Sequence, residues 1–177
     1  MKERSLLQDI KHGDRGAMKM LYCRYSDYAM AVGMRYVADK DTVRDVLQES
    51  FIKVYTSIDN FEYRGEGSLK AWIMRIVANE SLNYLRKNDK LTFVDDIPDT
   101  PTSDEPDVGD IPEGVLMDMI ERLPHGYRTV LNLYVFEEKS HKEIAEMLNI
   151  KESSSASQFL RAKKLLAKMI KEYKDEQ

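Results

Sequence analysis

The chain has 177 residues, 42% of them hydrophobic and 33% charged, with a net charge of −4. That length holds one ordinary domain or two small ones, and the composition describes a soluble, foldable chain. No stretch approaches the roughly 18 consecutive apolar residues of a membrane span, and Lys2, Glu3 and Arg4 precede no apolar run, so neither membrane insertion nor a signal peptide is expected.

One cysteine, Cys23, excludes an internal disulfide and fits a reducing cytoplasm. Glycine is scarce and strand-like alternation is nearly absent, which predicts an all-α fold. Residues 3–37 read as one or two helices, broken near Gly13 or around Asp27. Met18, Met20 and Met30 in this stretch read as core packing rather than as an adaptable partner surface. From Asp41 to Ile58, Val43, Val46, Leu47, Phe51, Val54, Tyr55 and Ile58 recur at helical spacing and form one apolar stripe. The opposite face carries Arg44, Asp45, Gln48, Glu49 and Lys53. A polar loop follows at 63–67, punctuated by Gly65 and Gly67. Ser68 is the expected N-cap of a helix running to about Lys87, with Leu69, Trp72, Ile73, Ile76 and Val77 turned inward.

Residues 91–113 hold eight acids and no base, and removing them turns the net charge from −4 to +4. Four of the five prolines also fall here, at 98, 101, 106 and 112. Such a segment buries too little apolar surface to offset its ordering entropy, so 91–111 is expected to be a flexible linker between helical domains at 1–90 and 112–177. A flexible chain of about 23 residues averages roughly 27 Å end to end and reaches at most about 75 Å.

Beyond the linker, Val115, Met119, Ile120 and Leu123 suggest a helix that stops before Pro124. Tyr127, Val130, Leu131, Tyr134 and Val135 suggest a second. Ser140-His-Lys-Glu143 is a capping box that opens the short helix 141–148, and Asn149 suits a left-handed turn. Ser153 is the expected cap of the final helix, which is basic from Ala156 to Lys171. Two helices joined by so short a turn form the pattern of a helix-turn-helix, although a plain helical hairpin shares it. The basic stripe suits phosphate, and equally suits an ordinary solvated face. His12, His125, His141 and Cys23 lack metal-ligand spacing, and His141 reads as exposed. No phosphate loop or nucleophile–base pair is present, so neither an enzyme, a cofactor nor a metal is expected.

Three stretches in order resemble the extracytoplasmic-function (ECF) group of the sigma-70-type RNA polymerase sigma factors. They are Asp45–Tyr55 (DVLQESFIKVY), Gly67–Asn79 (GSLKAWIMRIVAN) continuing to Lys87, and Leu123–Leu131 (LPHGYRTVL) followed by Ser140–Leu148 (SHKEIAEML). The resemblance implies a promoter-specificity subunit whose first domain binds core polymerase through Asp45, Gln48, Glu49, Phe51 and Lys53. It implies that Tyr63, Arg64, Arg75, Asn79, Asn83, Tyr84, Arg86 and Lys87 hold the melted −10 element. The second domain would place its last helix in the major groove over the −35 element, with Ser155, Ser157, Gln158 and Arg161 toward bases and Lys142, Lys151, Lys163 and Lys164 toward phosphates. By the same analogy an anti-sigma factor controls it, and the free protein is a monomer. Two positions depart from the family: many members carry Arg or Lys at Ala156 and Asp at Asn83. An independent helix-turn-helix regulator and a helical scaffold that reads no DNA are the competing classes.

Overall fold

A computed structural model describes residues 2–88, 91, 93 and 107–176; most of the expected linker, 91–111, lies outside them. The described residues contain helices and no strand, and the chain divides into two compact units, Met1–Lys87 and Asn88–Gln177.

The first unit consists of α1 (Glu3–Lys11), α2 (Arg15–Val37), α3 (Lys40–Ser57) with a following 3-10 turn (Ile58–Asn60), and α4 (Ser68–Lys87). The break falls at Gly13, and α2 runs unbroken through Asp27. Asp14 starts α2 by accepting from the amides of Gly16 at 2.7 Å and Ala17 at 3.2 Å, which satisfies donors that a helix start leaves open. Asp39 does the same for α3 through Thr42 at 2.8 Å. The tight α2–α3 corner places Ala38 in the left-handed region, at φ 61°. Gly33 allows the two helices to approach closely, since a Cβ there would lie 2.6 Å from Val43 Cγ1. Leu21, Tyr25, Val43, Val54, Leu69 and Ile73 are among the side chains that fill the space between α2, α3 and α4. Met20 stands out in solvent and Met18 and Met30 are only half-buried, so the expectation of core methionines is corrected here.

The second unit consists of α5 (Glu113–Glu121), α6 (His125–Val135), α7 (His141–Leu148) and α8 (Glu152–Asp175). Its core joins Met119, Ile120, Leu123 and Leu131 to Ala162, Leu166 and Ile170 of α8. The capping box forms as expected: the Glu143 amide donates to Ser140 Oγ, and the Ser140 amide donates to Glu143 Oε2 at 2.8 Å. Asn149 takes the left-handed conformation, φ 55° and ψ 48°, and turns the chain into α8. Arg128 is buried and donates to the Glu121 carbonyl and to His125 Nδ1, which pins α6 to the end of α5. Burial depresses its guanidinium pKa, opposed by the charge of Glu121.

Candidate nucleic-acid interface

On α3, periodicity puts Asp45, Gln48, Glu49 and Lys53 on the exposed face. Gln48 stands at the rim of two grooves. One, of about 280 Å³ between α3 and α4, is lined by Asp45, Glu49, Glu80, Asn83, Tyr84 and Lys87, and gathers three acids. The other, of about 750 Å³ between α2 and α3, is lined by Tyr22, Met30, Phe51 and Ile52 together with Lys40 and Arg44. Tyr22 and Ile52 are 45% and 49% exposed, so this second groove leaves apolar surface in water. Phe51 does not belong with the surface set. It is 3% exposed, and its ring centroid lies 4.8 Å from that of Tyr22, because it falls on the inward stripe with Val43, Leu47 and Val54. Its ring also lines the α2–α3 groove.

Glu80 couples the two helices. Its Oε1 accepts from Lys53 Nζ at 2.6 Å and from Asn83 Nδ2 at 3.0 Å. Lys53 is therefore already engaged across the α3–α4 groove, together with a residue expected to meet DNA.

The loop before α4 encloses a pocket of about 380 Å³ lined by Asn60, Phe61, Arg64, Ser68, Trp72 and Arg75, among others. Trp72 was expected inward; instead it is half-buried and lines this pocket, its ring centroid 4.8 Å from that of Phe61. The inward stripe of α4 is Leu69, Ile73, Val77 and Leu85, and Trp72 lies beside it rather than in it. Positions 68, 72, 75, 79, 83 and 86 follow one another at three- and four-residue steps and so share one face of α4. That face continues the pocket with Arg75, Asn79 and Arg86, whereas Asn83, bonded to Glu80, lines the α3–α4 groove with Tyr84 and Lys87. Tyr63 donates to Glu66 Oε2 at 3.2 Å, and Arg64 is exposed beside Glu62 at 3.5 Å.

Ser68 is not the cap of α4. Its hydroxyl donates to the Gly65 carbonyl at 2.6 Å and accepts from the Arg64 amide at 3.2 Å, closing the loop. The cap arrives from α1. Glu3 is 2% exposed, and its carboxylate accepts from the amides of Gly67 at 2.8 Å, Lys70 at 3.3 Å and Leu69 at 3.4 Å, and from Tyr25 Oη at 2.8 Å. Burial and the adjoining Glu3 carboxylate push the Tyr25 phenol well above its ordinary value. Sequence reading missed Glu3 because the contact spans more than sixty residues.

In α8 the residues Ser155, Gln158, Ala162, Leu166 and Ile170 face inward, and Arg161 joins them as buried. Ser155, Gln158 and Arg161, expected toward bases, are thus buried within the unit. Each residue turns the helix by about 100°, so an error of one position in its phase exchanges a reading side chain for a packing one. Ser155 Oγ is hydrogen-bonded to His141 Nδ1 at 3.0 Å and ties α8 to the start of α7. His141 is half-buried rather than exposed, stacked on Tyr134 with centroids 4.7 Å apart, and Phe159 completes the ring cluster. Ser153 lies within the first turn of α8, whose N-cap position is Lys151. Lys142, Lys151, Ser153 and Ala156 are exposed, with Ser157, Lys163 and Lys164 partly so. Among the described residues, no cluster of three metal-ligating side chains occurs, and no helix is long and apolar enough to cross a membrane.

Two family models match: Sigma-70 region 2 over residues 21–91 and Sigma-70 region 4 over residues 113–166. The chain is 31% identical to the ECF RNA polymerase sigma-E factor of Haemophilus influenzae, over 95% of each chain. It is 27% identical to the RNA polymerase sigma-H factor of Pseudomonas aeruginosa, covering 95% of this chain and 93% of that one. Among solved structures, the sigma factor RpoE from Bartonella quintana, determined in complex with the anti-sigma factor NepR, shares the fold with a TM-score of 0.51 at 19% identity, over 86% of this chain and 96% of that one.

Proposed function

This chain belongs to the ECF family of RNA polymerase sigma factors, and we propose that its two units divide the work of directing core polymerase to promoters and opening them. The first unit docks core polymerase along α3. A partner with a basic edge and an apolar edge fits the acidic α3–α4 groove on one side of Gln48 and the exposed Tyr22 and Ile52 on the other.

The −10 element is held on α4. One observation carries this reading: an open, ring-lined pocket at Phe61 and Trp72 leads directly into a polar and cationic stripe, Arg75–Asn79–Arg86, with Asn83 at its border with the α3–α4 groove. An extruded base stacks on aromatic rings, a contact worth about 1–3 kcal/mol, while cations follow the backbone of the unpaired strand. The second unit approaches the −35 major groove with the start of α8. Lys142, Lys151, Lys163 and Lys164 meet phosphates, and Ser153, Ala156 and Ser157 face the bases. With Ala at 156 and only hydroxyls beside it, this surface offers apolar contact to thymine methyl groups and weak hydrogen bonding, not a bidentate cation–guanine pair. The acidic segment 91–111 serves as the linker, and an anti-sigma factor is the controlling partner, as one is bound to the Bartonella quintana sigma factor.

The test is single-round transcription by purified core polymerase with this protein on a library of promoter-like fragments, read by sequencing. Transcripts that share two spaced elements support the reading. Core binding with no initiation would favour the scaffold class, and absence of core binding would overturn the reading.

A further inference from the structure

Glu3 lies in the first turn of α1, yet its side chain is spent entirely on other elements. Its two carboxylate oxygens take three amides, those of Gly67, Leu69 and Lys70, just where the loop enters α4. A negative charge here also complements the positive end of the α4 dipole. The Glu3 amide meets Glu66 Oε1 at 3.4 Å; Glu66 in turn accepts from Tyr63 and faces Arg24 at 3.8 Å. Gly65 and Gly67 both have positive φ, at 124° and 89°, so the loop itself has little intrinsic stiffness. Beyond this cluster, the loop's own side-chain ties are Ser68 to residues 64 and 65 and an exposed ion pair of Arg64 with Glu62. One wall of the pocket, Arg64 and Ser68, lies between two points that Glu3 and Glu66 secure.

We propose that Glu3 is a positioning residue for promoter melting: through the Gly67, Leu69 and Lys70 amides it holds loop 63–67 in the shape that receives an unpaired −10 base. The inference rests on the −10 reading of the Trp72 pocket. It makes α1, an element with no assigned contact to DNA, a determinant of strand capture. Removing the carboxylate takes this acceptor from three helix-start amides and from the Tyr25 hydroxyl and frees the loop, while the hydrogen bonds that Glu3 accepts come from α2, the loop and α4 and not from α3.

The experiment measures affinity of the reconstituted holoenzyme for a short fluorescein-labelled single strand bearing the −10 segment selected by the transcription assay. Binding of each variant to core polymerase is measured in parallel. The variants are Glu3→Ala, Glu3→Gln, Trp72→Ala and Val43→Ala, the last a destabilising change in the α2–α3 packing away from the loop. The expected result is a loss of strand affinity of about tenfold in both Glu3 variants, the equivalent of about 1.4 kcal/mol. Their core binding stays within about twofold of the parent, and Val43→Ala keeps strand affinity, by the same conversion. If Trp72→Ala weakens the strand but the Glu3 variants do so no more than Val43→Ala, the positioning role is overturned and the pocket stands. If Trp72→Ala has no effect, the pocket reading fails and this inference falls with it. Loss of core binding in both Glu3 variants would also overturn it, because Glu3 would then hold the whole unit rather than the loop.

Discussion

Glu80 Oε1 accepts from Lys53 Nζ and Asn83 Nδ2 together, so position 83 must present a donor for the groove to close as it does. The family's frequent Asp at 83 would set a second carboxylate against Glu80. Asn83→Asp is therefore expected to destabilise the first unit by about 1 kcal/mol at pH 7, through a lost hydrogen bond and like-charge repulsion. The loss shrinks as pH falls and the introduced carboxyl gains a proton that it can donate. Thermal denaturation at pH 7 and pH 4.5 checks the sign; equal losses at both would contradict it. Gln158 and Ser157 make a second contrast, since Gln158 is fully buried while its neighbour is partly exposed. Gln158→Ala is expected to lower stability by about 1–3 kcal/mol, the range for a disturbed buried site, and to leave −35 base preference unchanged. Ser157→Ala is expected to do the reverse, and repeating the promoter selection with each variant distinguishes them.

Among the elements, α7 is short enough that its start matters. Glu143 accepts from the Ser140 amide and hydroxyl, which hold its carboxyl below the ordinary 4.5. A depressed folded-state pKa means that the contribution is fully present above pH 4.5 and disappears as pH falls through the lower folded value. Amide exchange along Ile144–Leu148 should therefore accelerate in acid before that of α6, and Glu143→Gln should remove the pH dependence. This helix was readable from sequence because Ser140, Glu143 and Asn149 act on their own neighbours. The caps of α4 and α8 were not. Ser68 and Ser153 have the right residue type, but the donors of α4 are taken by Glu3 from a distant helix, and α8 starts two residues earlier than Ser153 suggested. Periodicity gives little phase for α8, because its inward stripe begins with polar Ser155 and Gln158 and becomes apolar only at Ala162. Trp72 was misread for the converse reason: an aromatic at helical spacing looks like core, and only the neighbouring Phe61 shows that it lines a pocket.

At the level of the whole molecule, the net charge of −4 conceals a chain that is +4 outside residues 91–113. Such a modest excess supports little phosphate contact unaided, so affinity for duplex DNA is expected to be low, with a shallow salt dependence, until core polymerase supplies the rest of the surface. This sets the account apart from an independent regulator, which must hold its site alone, and from a scaffold, which need not open DNA at all. The division into two units and the order of the motifs were legible in the sequence; which residues of each motif point outward required the packing. The most direct measurement is the fluorescence of an adenine analogue placed in the −10 segment of a selected duplex promoter. A rise that requires both this chain and core polymerase, and that Trp72→Ala diminishes, is the predicted result. A rise with the chain alone, or none with both present, would contradict the account.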